Sequence, residues 1–312
     1  MATRRLFVKQ SLLGAGALLV NPSLFAAAKS QGLEISLAEW SLHRALKAGE
    51  IDHLDFPSIA KNEFGISAVE YVNGFFGGSK INFKEAAKNT RYLNELLKRS
   101  KDAGVVNHLI MVDEEGPLAI PDKKERSASI DNHKKWIEAA KFLGCKTVRV
   151  NLHGEGGPDE KKAASIESLT RLGEFAKPMD INVVVENHGS DSSDGKWMAS
   201  IMKQVKLPNV GTLPDFGNFC ISHPWGTTQD GCDELYDRYL GMEELLPYAK
   251  GVSAKSYDFD ANGEQPLMDY KRLVSLVQSS GFQGYIGIEF EGSTQPEKEG
   301  ITRTKKLLER YF

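Results

Sequence analysis

The stretch that decides the fold runs from Gly144 to Leu152 and reads GCKTVRVNL. A helical pattern over 127–143 precedes it, and a glycine directly after a helix supplies the left-handed turn that ends the helix. The residues after the glycine are few, largely apolar and rich in valine, as in a strand buried inside a parallel sheet. A helix, a glycine and a buried strand in this order are typical of alternating α/β folds.

The same order recurs along the chain, at Gly65, Gly104 and Gly281. Including the runs without this glycine, the sequence predicts eight strands: 34–40, 66–72, 105–112, 145–152, 181–186, 210–214, 251–256 and 285–291. Helical patterns are predicted at 57–64, 83–103, 127–143, 159–177, 196–205, 232–249, 266–280 and 296–311. Eight alternating pairs indicate a single-domain (β/α)8 TIM barrel. The alternative, an open doubly wound sheet, usually has a glycine-rich turn after its first strand, and 37–42 has none.

The N-terminus carries the features of an export signal. Arg4 and Arg5 precede the apolar run 11–20, and small residues at 26–28 suit a cleavage site. The apolar run is too short to be a membrane anchor, since a spanning helix needs ~20 apolar residues. The sequence therefore predicts a twin-arginine signal over 1–28 and a barrel domain over 29–312. It predicts a periplasmic or exported protein that meets the membrane only through this signal.

Composition limits the partners. Hydrophobic residues make up 41% and charged residues 26%, which is ordinary for a globular domain. Loss of the signal removes three positive charges and changes the formal net charge from −3 to −6. A mildly acidic surface argues against nucleic acid as a partner. Of the three cysteines, Cys145 is expected in the core, while Cys220 and Cys232 flank a loop and can pair after export. The sequence leaves the oligomeric state open.

Charged residues gather where the predicted strands end. Glu186, Asp215, Glu289 and Glu291 follow apolar strands, and Lys255 closes the seventh. In a TIM barrel these ends form the active-site face. Buried carboxylates need cationic partners or a metal, and one lysine cannot offset four of them. The set suits a hard divalent cation, although a single carboxylate of this kind can simply cap a helix.

Alternation along a strand places neighbours on opposite faces. Glu186 and His188 therefore share a face, with Asn187 turned away. His188 is a candidate ligand, proton carrier or substrate contact, with a loop residue bonded to backbone as the alternative; His153 carries the same alternatives. Four aromatic residues are candidates for stacking on a sugar or for ordinary packing: Trp40, Phe75, Phe76 and Trp225.

Four segments resemble the sugar phosphate isomerase/epimerase family of xylose-isomerase-like barrels, in its exported twin-arginine branch. They are 184–189 (VVENHG), 214–219 (PDFGNF), 254–260 (AKSYDFD) and 287–292 (GIEFEG). The resemblance implies a metal held by a Glu of strand five, an Asp of strand six, a His near strand seven and a Glu of strand eight. Glu186, Asp215 and Glu289 match this pattern.

The sequence departs from the family pattern at two positions. The usual His-x-Lys of strand seven reads Ser253-Ala254-Lys255, and Asn218 stands where a second His often follows the Asp. Oxygen ligands in place of imidazole favour Mn²⁺ or Mg²⁺ over Co²⁺ or Zn²⁺. His188 is a candidate replacement ligand, and weak or absent metal binding is the alternative.

The resemblance implies a metal-dependent isomerase or epimerase that acts on a sugar or keto-sugar through an enediolate. Glu186 and Glu289 would exchange the proton and Lys255 would stabilise the oxyanion. The predicted substrate-binding residues are His153, His188, Asn218, Glu291 and Trp40. Export favours an unphosphorylated sugar or glycoside as the small-molecule partner.

Three alternatives to an isomerase remain. The first is a lyase or deglycosidase that acts on 3-keto-glycosides with the same residues. The second is a catalytically silent carbohydrate-binding barrel. The third, an endonuclease on this fold, would need more histidines and a basic face.

Overall fold

The computed structural model describes residues 32–229 and 231–312. The predicted export signal over 1–28 and its junction with the barrel lie outside these residues. Every helix in the described ranges is too short or too polar to cross a lipid bilayer.

Eight parallel strands form one sheet in the described part of the chain, in the order β6-β5-β4-β3-β2-β1-β8-β7. The strands are β1 Leu33–Ala38, β2 Ala68–Val72, β3 Val106–Met111, β4 Thr147–Val150, β5 Asn182–Glu186, β6 Val210–Leu213, β7 Val252–Ser256 and β8 Gly284–Phe290. Each strand begins within two residues of its predicted first residue. The predicted (β/α)8 barrel is confirmed.

Ten α-helices connect or follow the described strands. They are α1 His43–Ala48, α2 Phe56–Phe64, α3 Phe83–Ala86, α4 Thr90–Asp102, α5 Lys123–Leu143, α6 Pro158–Ala176, α7 Gly195–Val205, α8 Arg238–Leu245, α9 Tyr270–Ser279 and α10 Glu297–Tyr311. The long helices lie between consecutive strands and cover the outside of the barrel.

The helix predicted over 127–143 begins four residues earlier, at Lys123, and the one predicted over 266–280 begins four residues later, at Tyr270. Two other predicted helices differ more from the structure. The helix predicted over 83–103 is divided, because the Asn89 side chain accepts a hydrogen bond from the Tyr92 N–H and starts a new helix. The helix predicted over 232–249 begins only at Arg238, where Asp237 is the N-cap. The residues before it lie along the β6–α8 loop, and a bridge joins Leu235 to Cys220.

The strand pairing that closes the barrel is weakest between β6 and β7. In the described part of the chain, two isolated parallel bridges join the segments that carry these strands, one from Thr212 to Ala249 and one from Asp215 to Ser253. By contrast, β7 and β8 pair over five consecutive residues. Three backbone hydrogen bonds also cross the junction between β6 and β7: Lys250 N–H donates to the Thr212 carbonyl, Ser253 N–H to the Pro214 carbonyl and Phe216 N–H to the Ser253 carbonyl.

The inside of the barrel is mixed in character. A small apolar cluster comprises Ala38, Val72, Leu109, Met111, Val184 and Leu213, and the larger core lies between strands and helices. Charged side chains fill the remaining interior above this cluster. Cys145 is buried, as predicted.

Candidate functional site

Three carboxylates meet at the C-terminal mouth of the barrel. Glu186, Asp215 and Glu289 each offer a ligand atom, these atoms lie within 4.8 Å of one another, and all three residues are buried. They come from the ends of β5, β6 and β8. We call them the acidic cluster. The sequence predicted all three, and the fold brings them together.

Glu186 is held from two sides. Its Oε1 accepts a hydrogen bond from Asn218 Nδ2 at 3.1 Å, and its Oε2 lies 3.0 Å from Arg149 Nε. The second contact is an ion pair without hydrogen-bond alignment, so in the described chain Oε2 keeps its acceptor capacity. Burial raises the pKa of Glu186 well above its usual value; Arg149 opposes this shift, and the other two carboxylates of the cluster add to it.

Asp215 is fixed by backbone groups. Its Oδ1 accepts hydrogen bonds from the N–H groups of Gly217 and Asn218, both at 2.8 Å. Asn187, on the opposite face of β5 from Glu186, donates to the Asp215 carbonyl and accepts from its N–H. Burial raises the pKa of Asp215 to about 6, and Glu289 contributes to the same shift, whereas Lys255 opposes it.

Ser253, which lies in β7, stands where the resemblance drawn from the sequence would place a histidine. Its Oγ donates to Asp215 Oδ2 at 2.5 Å and lies 3.3 Å from Glu289 Oε2. The serine therefore bridges two members of the acidic cluster.

Lys255 is the buried cation on the β8 side. Its Nζ lies 3.0 Å from Glu289 Oε1 and 2.9 Å from Glu291 Oε2. Burial alone would lower the pKa of Lys255, but these carboxylates outweigh it and raise the pKa well above the ordinary value. Burial likewise opposes ionisation of Glu291, whereas Lys255 and the Trp40 indole N–H, which hydrogen-bonds to Glu291, hold its pKa below the usual value. Lys255 and Glu291 are therefore both charged at neutral pH.

Arg149 is a site residue that the sequence analysis missed. It lies in β4, is 4% exposed, and spans Glu186 and Asp113, with its Nη1 2.6 Å from Asp113 Oδ1. The sequence feature that could have identified Arg149 is a charged residue inside an otherwise apolar run, two residues before Asn151 at the end of that run.

Glu70 is a second residue that the sequence analysis missed. It lies in β2 inside the barrel and faces Gly287, where any side chain would collide with its carboxylate. Ser36 Oγ donates to Glu70 Oε1 at 2.5 Å, and in the described chain Oε2 has no hydrogen-bond partner. Burial raises the pKa of Glu70 to about 7; the Ser36 hydrogen bond opposes this shift and Glu289 adds to it.

A hydrogen-bond chain fixes the tautomer of His188. Asn151 Nδ2 donates to Asp113 Oδ1 at 2.7 Å, which leaves Asn151 Oδ1 as the acceptor that lies 3.0 Å from His188 Nδ1. Burial lowers the pKa of His188 well below its usual value, and Arg149 and Lys255 act in the same direction. The neutral ring therefore carries its proton on Nδ1 and presents a bare Nε2 to the cleft.

Other predicted residues occupy varied positions. Asn218 is fully buried beside Glu186 and orients that carboxylate, so its side chain does not line the cleft. His153 lies beside His188, with ring centroids 6.1 Å apart. Trp40 lines the cleft, but Phe76 does not. It is 1% exposed and packs edge-on against Trp136 in the outer core.

The acidic cluster fits a divalent cation. Arg149 and Lys255 supply two positive charges against the three carboxylates of the cluster and the neighbouring Glu291. The pKa values of Glu186 and Asp215 are raised because negative charge is crowded where water is excluded, and a cation would relieve this. The free acceptor capacity of Glu186 Oε2 points the same way.

A cleft of about 1330 Å³ opens above the cluster. Its lining includes Arg149, Lys255, Glu289, Glu291 and His188, together with rim residues Trp40, Phe75 and Trp225. In the β6–α8 loop that borders it, Cys220 and Cys232 form a disulfide. The pairing that the sequence left possible is thus present.

Two curated relatives match parts of the chain. The C-glycoside deglycosidase alpha subunit of Arthrobacter globiformis is 41% identical over 49 residues, which is 16% of this chain and 14% of that protein. The 3'-dehydrocarminate deglycosidase alpha subunit of a Microbacterium species is 29% identical over 101 residues, 31% of this chain and 29% of that protein. The chain thus matches less than a third of the length of either.

Solved structures share the fold at low identity. A sugar phosphate isomerase/epimerase from Parabacteroides distasonis superposes with a TM-score of 0.65 at 15% identity, covering 92% of this chain and 97% of its own. A zinc-bound IolI protein gives 0.63 at 16%, covering 89% and 99%. The 3-keto-D-glucoside 4-epimerase of E. coli gives 0.60 at 12%, covering 89% and 99%.

Residues 60–311 match the family described as the xylose isomerase-like TIM barrel. This match covers most of the chain and includes β2 to β8 with the whole acidic cluster. The chain belongs to the xylose isomerase-like TIM barrel family.

Proposed function

We propose that this protein is a metal-dependent sugar isomerase or epimerase that moves a proton at a carbon next to the carbonyl of an unphosphorylated sugar or keto-sugar. The observation that carries the proposal is the pairing of Glu186 and Glu289 from β5 and β8 across a buried cluster, beneath a large cleft. The sugar epimerases among proteins of the same fold support it.

Glu186, Asp215 and Glu289 would hold the metal, and Mn²⁺ or Mg²⁺ suits their oxygen ligands best. When bound, the cation supplies Lewis acidity that polarises the substrate carbonyl. His188 Nε2 is a further candidate ligand, because it is bare and lines the cleft.

Glu186, Glu289 and Lys255 would each have a separate role in the proton transfer. The raised pKa of Glu186, caused by its burial, makes this carboxylate a stronger base than an exposed glutamate, as a group that takes a proton from carbon requires. Glu289 acts from the other side of the substrate, and Lys255 beside it stabilises negative charge on the carbonyl oxygen. If its Nε2 does not bind the metal, His188 would instead accept a hydrogen bond from a substrate hydroxyl.

A second candidate function uses the same residues. A lyase or deglycosidase on 3-keto-glycosides would begin with the same proton abstraction and expel the neighbouring group. The size of the cleft favours it, since sites for drug-sized molecules occupy ~300–1,000 Å³ and this cleft is larger. The partial matches to two deglycosidases support it too.

Proton NMR of keto-sugars incubated in D₂O with the Mn²⁺-loaded protein tests the proposal. Loss of the signal at the carbon next to the carbonyl is expected with the wild type and with Glu174→Gln, an exposed control. Glu186→Gln and Glu289→Gln should each abolish it. Absence of exchange in the wild type, or no stoichiometric divalent metal by elemental analysis, overturns the proposal. Release of an aglycone would select the second function.

We also propose that the protein works outside the cytoplasm. The twin-arginine segment in 1–28 supports this, and glycosides arriving from outside the cell then become the natural substrate class.

A further inference from the structure

We infer that the cleft contains two aromatic subsites, and that the ligand is a glycoside of two ring units rather than a single sugar. The inference deepens the proposed function by naming the substrate class, and it rests on that function for the identity of the reacting ring. The second unit is a hydroxylated ring, either another sugar or a phenol.

The first subsite is the Trp40 wall, formed by Trp40, His43 and Phe75. Trp40 stacks on His43 with ring centroids 4.8 Å apart and lies 6.0 Å from Phe75. Its indole N–H bonds to Glu291, which pairs with Lys255. This wall therefore stands above β1 and β2 and is linked to the β8 end of the acidic cluster.

The second subsite is the Trp225 wall, formed by His153, His188 and Trp225. The Trp225 ring lies 5.0 Å from His153 and 5.2 Å from His188, centroid to centroid. His188 follows Glu186 in β5. The wall therefore stands above β4 and β5, at the other end of the cluster, so the reacting centre lies between two aromatic walls.

Trp225 has the character of a binding residue rather than a packing residue. It is 50% exposed, although burial of a side chain of this size would stabilise the fold. Among the described residues its indole Nε1–H has no hydrogen-bond partner, so both its ring and its donor are free to meet a ligand. A half-exposed tryptophan beside a polar cleft is suited to stack on a sugar or aromatic ring.

The loop that carries Trp225 is held rigidly. Gly189 and Gly226 pack backbone against backbone, and a Cβ at Gly189 would lie 2.1 Å from the Pro224 carbonyl oxygen. The Cys220 N–H donates to the Gly226 carbonyl at 2.9 Å, and Cys220 also carries the disulfide. Thr227 hydroxyl donates to the Tyr257 hydroxyl at 3.0 Å. The exposed indole is thus fixed before a ligand arrives, which reduces the entropy lost on binding.

Polar atoms in the Trp225 wall define the chemistry of its ligand. His153 Nε2 is buried and, within the described ranges, has no hydrogen-bond partner. His188 Nε2 is bare for the reason given above. His188 lines the cleft, whereas the buried His153 Nε2 is not exposed to it. An aromatic face with one bare imidazole nitrogen suits a ring whose edge carries a hydroxyl group, and a purely apolar ring would leave His188 Nε2 unpaired.

Titration calorimetry with non-reactive probes tests the inference. The probes are methyl β-glucoside with one ring, cellobiose with two sugars and 4-hydroxyphenyl β-glucoside with a phenol. We expect the wild type to bind a two-ring probe at least about tenfold more tightly than the one-ring probe. Cellobiose or the phenol glucoside as the tighter ligand identifies the second ring.

A variant of Trp225 tests whether the second ring of the ligand binds at the Trp225 wall. Trp225→Ala should weaken the better two-ring probe by about tenfold and change the one-ring probe by less than about twofold. Trp197→Phe is the matched control, because Trp197 lies in α7 and its indole donates to the Pro158 carbonyl outside the cleft. Thermal unfolding of each variant verifies that it is folded.

Equal affinity for one-ring and two-ring probes, no binding of either two-ring probe, or an unchanged affinity in Trp225→Ala would overturn the inference. Because binding is measured without turnover, two-ring preference with no deuterium exchange would reject the proposed function alone. Exchange without two-ring preference would reject only this inference.

Discussion

The guanidinium of Arg149 lies against the carboxylate of Glu186, with Nε 3.0 Å from Oε2, at the centre of the barrel mouth. The same side chain reaches Asp113 on its other side. A buried ion pair of this kind adds little net stability as a pair, but loss of one partner leaves the other charge buried without compensation.

Arg149→Met should therefore lower the free energy of unfolding by about 3–5 kcal/mol. Urea unfolding near neutral pH measures the change. Lys98→Met is the control, because Lys98 pairs with Asp102 on the exposed surface and should change little. Equal stability of wild type and Arg149→Met would show that the pair does not carry buried charge.

Glu70 makes stability depend on pH. Its pKa rises from 4.5 to about 7 on folding, so the folded protein retains a proton that the unfolded chain loses in this range. Stability attributable to Glu70 is present below pH 4.5 and falls by about 3 kcal/mol as pH rises through 7.

Glu70→Gln should remove this loss and stabilise the protein on the alkaline side. Urea unfolding from acid to mildly alkaline pH measures the slope, with Glu174→Gln as the exposed control. If the free energy of unfolding changed with pH in the same way in the wild type and in Glu70→Gln, the raised pKa of Glu70 would be contradicted.

The tautomer of His188 can be observed directly. Nitrogen-15 NMR of histidine-labelled protein should show His188 neutral near pH 7, with the proton on Nδ1. His223 is an internal comparison. Its Nδ1 accepts the Trp225 N–H at 3.2 Å, so its neutral ring carries the proton on Nε2.

Asn151→Ala should remove the preference of His188 for the Nδ1–H form without affecting His223. A proton on Nε2 of His188 in the wild type would show that the hydrogen bonds from Asp113 through Asn151 do not set the tautomer of His188.

The export proposal is tested by the paired arginines. Arg4→Lys together with Arg5→Lys should leave the protein in the cytoplasm, because the paired arginines mark this pathway. Cell fractionation with immunoblotting measures the distribution, and Lys9→Arg serves as a charge-preserving control. Unchanged export of the double variant would reject the twin-arginine assignment.

The sequence predicted the barrel because its strands are marked locally. Glycines such as Gly144 end helices, and the valine-rich runs that follow have one favourable place, inside a parallel sheet. Helix boundaries were less predictable where a polar side chain competes for the backbone. Asn89 divides one predicted helix, and Asp237 delays the start of another.

The candidate site was predictable only where it lies at strand ends. Glu186, Asp215 and Glu289 were found by this rule. Arg149 and Glu70 lie within strands, and a charged residue there gains meaning only once the barrel closes and its interior faces are known. Glu70 needs Gly287 opposite it, a contact between β2 and β8 that local sequence patterns do not reveal.

The thin junction between β6 and β7 gives the acidic cluster a mechanical role. Asp215 belongs to one side of that junction, and Ser253 and Glu289 belong to the other. A cation bound to both Asp215 and Glu289 would add a link across a junction that has less backbone pairing than the one between β7 and β8. Occupancy should then slow hydrogen exchange at β6 and β7 first, and removal of the ion should loosen the barrel along this line rather than uniformly.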